Sequence, residues 1–221
     1  MSESAFTTPS DRRLFLGRVA AAAAGAVAAS SILPSAIEAA PTVAPDESDM
    51  WLEKLHGKYR QVFDTFAIDE GFGLAYAATF LNTQGPKPDA GAVVVLRHFG
   101  FPLAVGDDIW AKYKIGQALN VKDPATNEIA VRNPFLRPKS GVLLTDDMAI
   151  DKLLARGVIF GACNVALHVI SGRLAGMAGV TPEVALKEWT AGVIPGIVVL
   201  PSGVWAVNRA QVAGCTYCTA G

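Results

Sequence analysis

The residue with the most chemical promise is Cys163, in the stretch Gly157 to Gly176, GVIFGACNVALHVISGRLAG. Val158, Ile159 and Phe160 form a short apolar run with β-branched character. After Gly161-Ala162-Cys163-Asn164, apolar residues recur at helical spacing through Val165, Ala166, Leu167, Val169 and Ile170. This predicts a buried strand, a tight turn and a helix, with Cys163 where strand becomes helix and Asn164 as N-cap. Backbone N–H groups and the positive end of a helix dipole stabilise a thiolate at such a position, which makes Cys163 a candidate nucleophile. The plain alternative is that a free cysteine fills core space.

His98 and Arg97 follow the run Ala92-Val93-Val94-Val95-Leu96, which shows no alternation and reads as a strand covered on both faces. His98 at that strand's carboxyl end suits a general base, a proton donor to a cysteine, or a ligand to metal or haem. Arg97 suits an anion. Ligands in parallel sheets gather beyond the carboxyl ends of strands, where both these residues and Cys163 fall. His168, five residues past Cys163, is about 140° around an ideal helix from it and is a poor partner. His56 has no visible partner. Cys215 and Cys218 form a C-x-x-C near the C-terminus, readable as a redox pair, a disulfide or two incidental cysteines. A closing strand there would point them to opposite faces, so strand and disulfide exclude each other. Zinc needs a second ligand pair, so no metal site is assigned.

The elements that position these residues alternate along the chain. A first strand over Tyr59 to Phe66 leads through Gly71-Phe72-Gly73 into a helix from Leu74 to Asn82. The two glycines lack the third of a dinucleotide fingerprint. Gly85 to Asp89 is a turn before the Ala92–Leu96 strand. A helix starts at Asp107-Asp108, with Trp110 and Tyr113 on one face as core. Residues 120–144, with three prolines, form a long polar insertion of the kind used as a lid, a binding loop or an oligomer contact. Thr145 caps a helix running to Arg156. Thr181-Pro182 starts another. Ile197 to Leu200 is a further buried strand, Val204 to Val212 a helix, and residues 213–218 a closing strand. Such alternation calls for an α/β fold, a three-layer, mostly parallel five-stranded sheet flanked by helices.

The chain has 221 residues, net charge −1, 51% hydrophobic and 18% charged residues. There is no basic excess of the kind that binds nucleic acid. Arg12-Arg13 followed by Leu14-Phe15-Leu16 and an alanine-rich run resembles a twin-arginine export signal over residues 1–40. The run is short, alanine-rich and broken by Arg18, so no permanent membrane span is expected. Residues 41–56 read as linker and lead-in, and 57–221 as one α/β domain.

The segment LLARGVIFGAC at 153–163 and its following helix, Ala191-Gly192-Val193, Val198 to Val204, a helix and Gly214 to Tyr217 together resemble the DsrE/DsrF-like family of sulfur-relay proteins. The resemblance covers about residues 57 to 219 and is distinctive in the last third. It implies a small α/β fold, commonly oligomeric, with a persulfide-bearing cysteine after a sheet strand; Cys163 falls on that position. The implied partners are a second copy of the chain, a sulfur donor or acceptor protein, and the export machinery. Sulfur-relay members are normally cytoplasmic; the export-signal resemblance at residues 1–40 is what implies the periplasm and the export machinery here. No cofactor is assigned. Two functions follow. One is a sulfur-relay or thiol-redox carrier using Cys163, with the Asn164 and Val165 N–H groups on the anion and His98 or Arg97 nearby. The other is a non-catalytic binding module in which His98 and the 120–144 loop hold a small ligand, metal or haem.

Overall fold

The computed structural model describes residues 47–85 and 89–221. The stretch read as an export signal, the first part of that read as a linker, and the middle of the Gly85–Asp89 turn lie outside the described residues. Five strands, β1 (Tyr59–Thr65), β2 (Ala90–Leu96), β3 (Ile159–Cys163), β4 (Ile197–Leu200) and β5 (Thr216–Thr219), form one sheet in the order β4-β3-β2-β1-β5. Every pairing is parallel. The helices are α1 (Phe72–Thr83), α2 (Asp107–Lys112), α3 (Ile115–Leu119), α4 (Ile150–Ala155), α5 (Asn164–Leu174), α6 (Pro182–Ala191) and α7 (Gly203–Val212). They cover both faces, giving the three-layer α/β arrangement. No helix among the described residues is long and apolar enough to cross a membrane.

All seven residues of β2 are buried, as a central strand lacking alternation requires. The α1 helix buries Leu74, Ala77, Ala78 and Leu81, a three-and-four spacing whose alanines let the helix lie close to the sheet. On this face the core continues through α2, α4, α5 and α6, with Phe101, Tyr113 and Trp189 in ring contact. The opposite face is thinner: Val62, Val93, Val95 and Ile159 pack under Ala206 and Ala210 of α7 and under Leu52. Leu52 ends a 3-10 turn, Glu47–Leu52, within the stretch read as lead-in. A bidentate ion pair between Arg209 of α7 and Asp49 ties this turn down.

Three local expectations change. Ile197–Leu200 is an edge strand, so Val198 is open to solvent rather than buried. The helix from Asp107 breaks at Lys114, whose φ of 49° is left-handed, and α3 starts anew. The 120–144 insertion is not polar throughout: Ala130, Phe135 and Leu136 are buried. The buried Asn133 amide donates to the Leu103 and Val105 carbonyls at 3.1 and 3.0 Å, and its Oδ1 accepts from the Phe135 N–H. One buried asparagine thus satisfies three backbone groups and fixes the segment against the core.

Candidate functional site at the carboxyl edge of the sheet

The parallel register brings the ends of four strands to one edge. Thr65 is level with Leu96, Leu96 with Ala162, and Cys163 with Leu200. Arg97, the next residue after β2, therefore emerges beside the last residue of β3. Its Nε and Nη2 donate to Oδ1 and Oδ2 of Asp64 at 2.6 and 2.8 Å, a fork-to-carboxylate pair. Asp64 lies near the end of β1 and is 3% exposed. From β5, the Tyr217 hydroxyl donates to Asp64 Oδ2 at 2.9 Å. The Arg97 stem lies against Gly203, the first residue of α7, and its guanidinium sits 5.3 Å from the Phe66 ring centroid.

These contacts set the electrostatics. The Arg97 guanidinium is held above its ordinary range first by its hydrogen bonds to Asp64; burial opposes the rise, and the charges of Asp64, Tyr217 and Cys163 add to it. Tyr217 is pushed up as well, first because its hydroxyl donates to the Asp64 carboxylate. Arg97 and Cys163 are thus within electrostatic reach of each other. Asp64 and Tyr217 carry this arrangement and were missed in the sequence. Asp64 reads there as one polar position of a strand, and Tyr217 as filler between two cysteines.

Cys163 is 6% exposed. It is itself the N-cap of α5: its backbone is extended, at φ −75° and ψ 114°, and its Sγ accepts from the Ala166 N–H at 3.3 Å. This corrects two expectations. Asn164 is the first helical residue and not the cap, and the donor to sulfur is Ala166 rather than Asn164 or Val165. The reason is register: β3 runs to Cys163, so the cap falls one residue earlier.

His98 is exposed, has a left-handed φ of 48°, and its ring packs edge-on against Phe99 at 4.4 Å. His168 is exposed, and the His56 ring nitrogen Nδ1 contacts the Lys54 carbonyl oxygen at 2.9 Å. Cys215 and Cys218 are free, like Cys163. The strand reading of the C-terminus holds and the disulfide is absent: Cys215 packs into the thin face and Cys218 against the larger core opposite. Among the described residues no three His, Cys, Asp or Glu side chains gather as a metal set.

Beyond the end of β1 lies a cavity of about 910 Å³. Its walls include Phe72 at the start of α1, Phe99 beside His98, and Phe135, Leu143, Leu144 and Met148. The 120–144 segment therefore builds one side of it. Asp69 and Glu70, in the connection between β1 and α1, also line it.

No family model matches this chain, and no curated protein does. Among solved structures, the chain is similar to a protein of unknown function, MTH1491 from Methanobacterium thermoautotrophicum. The identity is 20%, over 73% of this chain and 99% of that one, with a TM-score of 0.40.

Proposed function

We propose that the protein is an exported, DsrE-like carrier that takes up and passes on sulfane sulfur or thiol redox equivalents through Cys163. One observation carries this: Cys163 Sγ is held at the N-terminus of an 11-residue helix by the Ala166 N–H, within electrostatic reach of Arg97. A helix N-terminus and a fixed guanidinium are the kind of surroundings that stabilise charge developing during sulfur transfer. In the step itself the Cys163 thiolate attacks a terminal sulfur of a polysulfide. A new S–S bond forms to that terminal sulfur, and the bond from it to its neighbour in the polysulfide breaks. The shortened polysulfide leaves with that electron pair, and the outer sulfur of the persulfide keeps the negative charge it carried as the chain end. Arg97 is 29% exposed and fastened by Asp64, so it can face that charge without rearranging. A homo-oligomer and a donor or acceptor protein belong to the same proposal and rest on the family resemblance, and a periplasmic location rests on the twin-arginine-like segment at residues 1–40.

Access decides the matter, because Sγ is largely covered. Intact-mass labelling of the mature protein with a thiol reagent, followed by incubation with polysulfide, is the direct test. The expected result is labelling of native Cys163 and the gain of one sulfur atom, lost in Cys163→Ser and kept in a Cys215→Ala/Cys218→Ala variant. A Cys163 that reacts only after unfolding ends the relay reading.

A second reading has its own support in the cavity, whose volume of about 910 Å³ falls in the range of small-molecule sites. On that reading the protein is a binding module. Phe99 and the 120–144 segment hold the ligand, and Cys163 serves as a helix cap.

A further inference from the structure

We infer that the cavity beyond β1 binds an organic cation with an apolar, aromatic-sized body; this rests on the ligand-binding reading of that cavity and names the ligand class. The walls favour an apolar body. Phe135 and Met148 are buried, while Phe72 and Phe99 are each 36% exposed, so aromatic surface remains open at the cavity. Apolar enclosure with a few placed polar groups is the usual build of a small-molecule site.

The charges choose the sign. Asp69 and Glu70 line the cavity and are exposed, and their carboxylates make no hydrogen bond or ion pair among the described residues. The cation among the lining residues, Lys122, donates to Asn127 Oδ1 at 3.3 Å. Two unpaired carboxylates against one lysine leave the wall negative.

The backbone holds these carboxylates in place. Asp69, Glu70 and Gly71 are consecutively left-handed, with φ of 36°, 51° and 79°. That is costly for the two acidic residues. Behind the turn, Gly71 lies so close to the Phe135 ring and the Met148 methyl that both would meet a Cβ there. The turn that presents the acids therefore rests on two residues of the apolar wall. An ammonium group gains from the carboxylates and from neighbouring ring faces. A neutral analogue gains only the apolar walls, and a carboxylate is repelled.

Three naphthalene probes that differ in one group test this on the full mature protein: naphthylmethylamine, naphthylmethanol and naphthoate, titrated at low salt by fluorescence. The amine is expected to bind about fivefold to tenfold tighter than the alcohol, with naphthoate weakest. Asp69→Asn/Glu70→Gln should bring the amine to the alcohol's affinity and leave the alcohol unchanged. Leu143→Trp, which fills the cavity, should abolish binding of all three. Equal affinities for amine and alcohol would overturn the cation assignment and leave the cavity a ligand site. Failure of every probe, or binding indifferent to Leu143→Trp, would overturn the cavity reading itself.

Discussion

Asp64 is a carboxylate 3% exposed among apolar strands, and it is tolerable there because Arg97 and Tyr217 supply three donors to it. Arg97→Leu strands that carboxylate with only the tyrosine hydroxyl. The expected cost is about 2–3 kcal/mol in urea unfolding, below the full value for a buried pair because Arg97 is partly solvated. Tyr217→Phe removes one hydrogen bond to a charged group, at about 1–2 kcal/mol. Arg97→Leu combined with Asp64→Leu should cost less than the two single changes summed. Cys215 supplies a pH test. Burial pushes its thiol from 9.0 up to about 11, with the Arg60 charge acting the other way. Between those values the unfolded chain loses the proton while the folded chain keeps it, so stability falls as pH rises from 9 to 11. The fall should be shallower in Cys215→Ala, measured by unfolding at each pH. Cys163 and Arg97 were legible because each follows an unmistakable buried strand. Asp64 and Tyr217 were not, since what joins them is the pairing of β1 with β5, which no local pattern encodes.

Elements meet at glycines in two places that matter. The first helical residue of α7, Gly203, lies where a Cβ would run into the Arg97 side chain. Gly203→Ala should therefore cost about 1–3 kcal/mol in denaturant unfolding, the usual range for overpacking. Most of the penalty should persist in an Arg97→Ala background, because the nearest obstructing atom, the Arg97 Cβ, is kept by alanine. Gly71→Ala carries a double penalty: a left-handed φ of 79° and a Cβ driven into Phe135. It should lower stability and alter probe binding in the cavity together. The order of strands and helices was readable from periodicity, because runs such as AVVVL and the 74, 77, 78, 81 spacing state their own geometry. How the 120–144 segment is held was not legible, because its anchor is a single polar residue, Asn133, whose partners lie about thirty residues back in the chain.

At the scale of the molecule, α/β alternation fixed the layers, but not that the last strand would lie beside the first. Both edge strands, β4 and β5, are four residues long. Short edges offer little backbone to a neighbouring sheet. Deleting residues 215–221 would uncover the stretch of β1 from Gln61 to Asp64 that pairs with β5. The expected outcome is loss of the soluble species on size-exclusion chromatography, while full-length protein elutes normally. The same topology has a consequence in time. Tyr217 reaches Asp64 across 153 positions of the chain. On the ribosome, Asp64 and Arg97 are made first and then wait, with β1 open along one side, until Tyr217 has been added. A stalled or clipped product lacks the third member of the cluster and carries an unsatisfied edge, so the unfinished chain differs chemically from the finished one at the spot where its candidate chemistry resides.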